Sequence, residues 1–177
     1  MPSELDTSYP WYSIKSKSAP LAQGDLIDGL AIHFPSYDNQ EQKTLVNVSE
    51  YDVVVMSQSC DLVKMNADEL VILCVRDSAK QVYGGDLKHK WKNLRTGRFI
   101  HNHLINKCEI KGYEFDYQII NLHHIITMEF SLLKKQIQEK SDRISMLPPY
   151  REFMGQAFAR QFMRIGLPND IPSEYPG

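Results

Sequence analysis

From Gly24 to Val75 short apolar runs alternate with polar breaks, the pattern of strands joined by turns. Gly24-Asp25-Leu26-Ile27-Asp28-Gly29-Leu30-Ala31-Ile32-His33-Phe34 predicts a strand entering a sheet, with Gly24 and Gly29 permitting a turn or bulge. A turn-rich loop over residues 35–42 and a short strand over 44–48 are expected next. Val53-Val54-Val55-Met56 is β-branched and too short for a helix, so it predicts a buried strand. A connector over 62–69 leads to a second core strand at 70–75. Residues 99–105, 107–110 and 117–126 predict further strands, antiparallel because their connections are short.

Helical spacing follows in three places. Leu87, Trp91 and Leu94 fall at i, i+4 and i+7, with Asp86 as the expected N-cap. Thr127 is expected to cap a helix reaching about Ile144, with Glu129 suiting the dipole in its first turn. After Pro148-Pro149 a last helix runs from Tyr150 to about Ile165, closed by Gly166-Leu167-Pro168. Pro2, Pro10 and Pro20 mark residues 1–22 as an N-terminal arm, pinned to the body by Trp11 and Tyr12. Residues 23–168 form a single domain and 169–177 a coil tail. The expected fold class is α+β: an SH3-like or similarly curled antiparallel β-barrel with two C-terminal helices packed on it.

Charge changes the picture only locally. The 177 residues carry 20 Lys and Arg against 22 Asp and Glu, so no global basic field draws the chain to nucleic acid or an anionic membrane. No apolar run approaches the ~20 residues that span a bilayer, and no membrane partner is expected. Three widely spaced cysteines, and an opening without a basic-then-apolar leader, point to a reducing compartment, the cytoplasm. Neither Cys-x-x-Cys nor His-Glu-x-x-His occurs, so no metal or cofactor is expected.

Three features carry candidate chemistry. The valine strand ends in Ser57-Gln58-Ser59-Cys60-Asp61, where a rigid sheet presents side chains to a loop. Cys60 as a nucleophile needs a cation or base brought by the fold, since a neighbouring carboxylate disfavours the thiolate. His101 and His103, two apart on an expected strand, would share a face and offer that base. The alternative makes Cys60 a core residue and Asp61 a turn cap. On the last helix Arg160 and Arg164 fall inside an apolar arc beside Phe153 and Ala157. They call for an internal carboxylate, with Asp61 the expected partner, for an anionic ligand, or for snorkelling to water. Finally, Lys88, Lys90, Lys92 and Arg95 surround Trp91, a pattern that can hold a phosphate backbone while a base stacks. The competing reading makes Trp91 core and the lysines a solvated face.

Two resemblances add to this. Ser57-Gln58-Ser59-Cys60-Asp61, Leu147-Pro148-Pro149-Tyr150-Arg151-Glu152 and Phe158-Ala159-Arg160-Gln161-Phe162-Met163-Arg164-Ile165-Gly166-Leu167-Pro168 together resemble an uncharacterised family of bacterial and phage-borne proteins. That likeness covers most of the chain from Gly24 onward and implies an origin without a mechanism. Gly24-Asp25-Leu26-Ile27 followed by the valine strand resembles the opening of the PemK/MazF family, SH3-like barrels that act as toxin endoribonucleases. Where that family has a catalytic basic residue before the strand, this chain has the acidic Glu50-Tyr51-Asp52. Barrel topology transfers more readily than activity.

Three function classes follow: a non-catalytic interaction or accessory protein with a protein or nucleic-acid partner; a toxin-barrel-like endoribonuclease using the 88–98 patch and His101 or His103; and a thiol enzyme with Cys60 as nucleophile. The first is the expected one.

Overall fold

Val53, Val54 and Val55 are fully buried, and their alternation divides the interior into two cores. Val53 and Val55 point into one, with Leu30, Leu73, Leu133 and Ile137. Val54 points into the other, with Cys74, Ile120, Met146 and Met154. A strand buried on both faces reads as an unbroken apolar run, which is why this one stood out.

The computed structural model describes residues 9–163. Its strands are β1 (Tyr12–Lys15), β2 (Asp25–Asp38), β3 (Lys43–Val55), β4 (Leu70–Ser78), β5 (Asn102–Ile105), β6 (Gln118–Glu129) and β7 (Arg143–Met146). Helix α1 (Ser59–Lys64) follows β3, and α2 (Ala79–Tyr83) and α3 (Leu87–Arg95) follow β4. Helix α4 (Phe130–Gln138) joins β6 to β7, and α5 (Tyr150–Phe162) comes last. The strands make one seven-stranded antiparallel sheet in the order β1-β7-β2-β3-β4-β6-β5. The fold is therefore α+β. The sheet runs open from β1 to β5 and does not close on itself as the expected barrel would. Leu133 and Ile137 of α4 cover one face, while Met154 of α5 covers the other.

Several expected boundaries move, each because tertiary pairing overrides local signal. Residues 12–15 of the expected arm are an edge strand: Tyr12 is buried and pairs with Met146, while Pro10 and Pro20 flank the strand without interrupting it. The first half of the expected loop at 35–42 is strand and the turn is confined to 39–42, since β2 and β3 pair continuously from Leu30–Tyr51 out to Asp38–Lys43. Thr127 lies inside β6 opposite Ile72, so α4 starts at Phe130. The expected helix through Ile144 stops at Gln138, and residues 143–146 insert between β1 and β2. Asp86 makes no side-chain cap bond to α3, which follows directly from a 3-10 turn. Of the strand expected at 107–110, a single bridge from Cys108 to Phe115 forms.

Two glycines shape the frame. Gly29, at φ 56°, sits in a bulge between Ile27 and Leu30; its N–H donates to Asp52 Oδ1 at 2.8 Å, and Lys140 Nζ donates to its carbonyl at 2.8 Å. Gly24 has φ 83°, and a Cβ there would meet Arg151 Cγ at 3.0 Å and Met146 Cβ at 3.1 Å. That close approach lets α5 lie down on the sheet beside β7.

Candidate functional site

Helices α3 and α5 approach each other over β5 and leave a cavity of about 690 Å³ between them. Helix α3 contributes Trp91, Leu94 and Arg95, and α5 contributes Tyr150, Phe153, Gln156 and Arg160. Asn102, His103 and Leu104 of β5 and Trp11 ahead of β1 complete much of the lining, with Phe99, Asn106 and Tyr117. Both tryptophans of the chain line this groove. Its aromatic rings are fixed by one another: Trp11 stacks on Tyr150 at 3.6 Å and 9°, and Trp91 meets Tyr117 edge-on at 4.7 Å.

The electrostatics are one-sided. Arg95 and Arg160 line the groove, and among the described residues no aspartate or glutamate does. Among the described residues neither arginine is in a salt bridge, and both are exposed. His103 is half-buried, and removal from water pushes its imidazole down to about 4. It is neutral at pH 7, able to donate from one ring nitrogen and accept at the other. The groove therefore combines flat apolar surfaces, two forked cations and a neutral imidazole. Such a set suits a planar ligand that carries an anionic group.

The sequence candidates separate into three groups. His103, Arg95 and Arg160 converge on the groove although they come from three elements. The lysines do not: Lys88 lines a shallower depression on the other side of Trp91, Lys92 is exposed, and Lys90 lies 5.8 Å over the Phe99 ring. Trp91 serves as wall for both hollows and is neither pure core nor free. Arg164 lies outside the described residues. His101 is not on β5; its ring lies 3.7 Å from that of His123, tilted by 38°, and it shares a 3.0 Å hydrogen bond with Gln161.

Cys60 and Asp61 stand apart from the groove. Both are exposed on α1, and the Cys60 thiol contacts Gln58 Oε1 and Asp61 Oδ1, neither of which is a cation or base. The serines of the same stretch explain its composition better. Ser57 Oγ accepts the Ile72 N–H at 2.9 Å, and Ser59 Oγ accepts the Gln23 N–H at 3.1 Å. Gln23 Nε2 then donates to the Met56 carbonyl at 2.9 Å. The run after the valine strand thus pins the turn between β3, β4 and the segment before β2.

The expected Asp61–arginine pair does not form, because Asp61 faces solvent and Arg160 faces the groove. The internal pair is Asp25 with Arg143, unnoticed in the sequence. Asp25 is fully buried; it accepts from Arg143 Nε at 2.7 Å, Lys15 Nζ at 3.3 Å and the Ala22 N–H at 3.0 Å. Arg143 also donates from Nη1 to the Ser16 carbonyl and from Nη2 to those of Ala19 and Pro20. A second buried guanidinium, Arg76, reaches Asp28, Gln118 and the Val53 carbonyl, and burial lowers its pKa to about 10. The signal for Asp25 and Arg76 was present: a charged residue inside or opening a run of apolar strand positions. Among the described residues no three His, Cys, Asp or Glu side chains group as metal ligands, and no helix is long and apolar enough to cross a membrane.

No family model matches the chain, and no curated protein or solved structure matches it.

Proposed function

We propose that this is a non-catalytic interaction protein that holds an unpaired segment of nucleic acid in the groove between α3 and α5. The supporting observation is the lining itself: in a chain with more carboxylates than cations, two arginines and both tryptophans share a cavity that no carboxylate of the described residues enters. Aromatic faces accept any base by stacking, worth about 1–3 kcal/mol per base, and guanidiniums take phosphate oxygens in pairs. The bacterial or phage origin implied by the sequence resemblance is part of the same proposal.

A ribonuclease reading would make His103 the general base. A base held at about 4 is a weak proton acceptor at neutral pH, and efficient general bases lie near the working pH. This favours binding over cleavage. The thiol reading draws no support from the contacts of Cys60.

The test is fluorescence anisotropy of a labelled single strand of about ten nucleotides. Wild-type protein is expected to bind it and return it intact. Arg95→Gln/Arg160→Gln is expected to bind at least about tenfold more weakly, since each lost charge-assisted contact costs on the order of 1.4 kcal/mol or more. Equal binding by the two proteins, or none by either, would remove the groove as a nucleic-acid site. Shortened strands would restore the ribonuclease reading.

A further inference from the structure

The distribution of cations around the groove limits how much nucleic acid it can hold. Among the described residues, Arg95 and Arg160 are the basic residues other than His103 in its lining, while the lysines of α3 lie outside it. A protein that follows a strand needs a row of phosphate contacts, and track-like sites cover about 4–16 nucleotides. Here two guanidiniums can neutralise one or two phosphates. The volume of about 690 Å³ also lies within the ordinary range of small-ligand sites, about 300–1,000 Å³. Within that space Gln156 lines the cavity with no hydrogen-bond partner among the described residues, so its amide is open to a base edge. His103 adds a neutral donor and acceptor to the same wall.

We propose that the groove takes one nucleoside-phosphate unit, a single base stacked on the tryptophan walls with its phosphate between Arg95 and Arg160, and that it does not track along a strand. The inference rests on the nucleic-acid reading above and narrows it. The unit has two sources with the same chemistry: a free nucleotide, or the terminal nucleotide of a strand.

Intrinsic fluorescence reads this site directly, because both tryptophans line it. The protein is titrated with the four nucleoside 5′-monophosphates, with the matching nucleosides, and with oligouridylates from one to about ten nucleotides. The expected result is a dissociation constant that changes less than about threefold with length, and a loss of at least about tenfold when the phosphate is removed. The log–log salt slope with the oligouridylates should be near about −0.7, the value for one neutralised phosphate on a single strand. Arg95→Gln/Arg160→Gln should abolish the phosphate dependence; both side chains are exposed, so the fold tolerates the change. A 5′-phosphorylated oligomer that competes like the free nucleotide assigns the site to strand ends; failure to compete assigns it to free nucleotides. Affinity that climbs more than about tenfold with length overturns the single-unit proposal while leaving the nucleic-acid reading in place. No quenching by any of these ligands overturns both.

Discussion

Trp11 and Tyr150 stack face to face at 3.6 Å, with planes 9° from parallel, and so join the segment before β1 to the first turn of α5. The Leu147 N–H donates to the Trp11 carbonyl at 2.8 Å, and the backbone carries the same junction. The groove wall is therefore built from both ends of the described chain. A ligand that needs this wall must stabilise the docking of β1 and α5 along with itself, because binding the assembled form draws the equilibrium toward it.

The buried ion pair has been relocated by the structure from α5 to β7, and stability should follow it. Asp25→Ala leaves Arg143 buried without its carboxylate and should cost about 3–5 kcal/mol in chemical denaturation. Asp61→Ala removes an exposed side chain and should stay within about 0.5 kcal/mol of wild type. The reverse ranking would mean that Asp61 holds the internal arginine after all.

The valine strand and the 70–75 strand were legible as short unbroken apolar runs, and α3 with Leu87, Trp91 and Leu94 and α5 from Tyr150 through helical periodicity. Gly29 was legible as a bulge. Strand β7 was not, because Arg143-Ile144-Ser145-Met146 is four residues long and acquires its identity only between β1 and β2. Misreading β7 as helix hid Arg143, and with it the partner of Asp25. The groove shows the same limit from the other direction. His103, Arg95 and Arg160 were each identified, yet their convergence depends on α5 folding back across β5, a relationship of the sheet order and not of any local pattern.

His103 should make the protein sensitive to mild acid. Its native imidazole protonates near 4, below the unfolded value of about 6.5, so the unfolded chain takes up the proton first as pH falls. Its contribution is complete above pH 6.5, declines between about 6.5 and 4, and reaches a loss of roughly 2–3 kcal/mol. Unfolding free energy measured from pH 7 to 4 should fall less steeply in His103→Gln than in wild type. Parallel curves would show that His103 titrates normally.

Thiol chemistry should divide along burial. Cys60 is exposed, Cys74 and Cys108 are buried, and burial pushes the Cys74 thiol up to about 12. Iodoacetamide at pH 8 should label Cys60 alone in the native protein, and Cys74 and Cys108 only after unfolding. Cys60→Ser should bind the single strand as wild type does. Loss of binding in that variant would bring the α1 turn into the site.

The claim that an unpaired base sits against the aromatic walls of the α3–α5 groove is tested most directly by ultraviolet cross-linking to a single-stranded oligouridylate, followed by peptide mapping. The account predicts adducts on Trp11, Trp91 or Tyr150, suppressed in Arg95→Gln/Arg160→Gln. Adducts confined to other surfaces, such as the β2–β3 ribbon, or none at all, would contradict it.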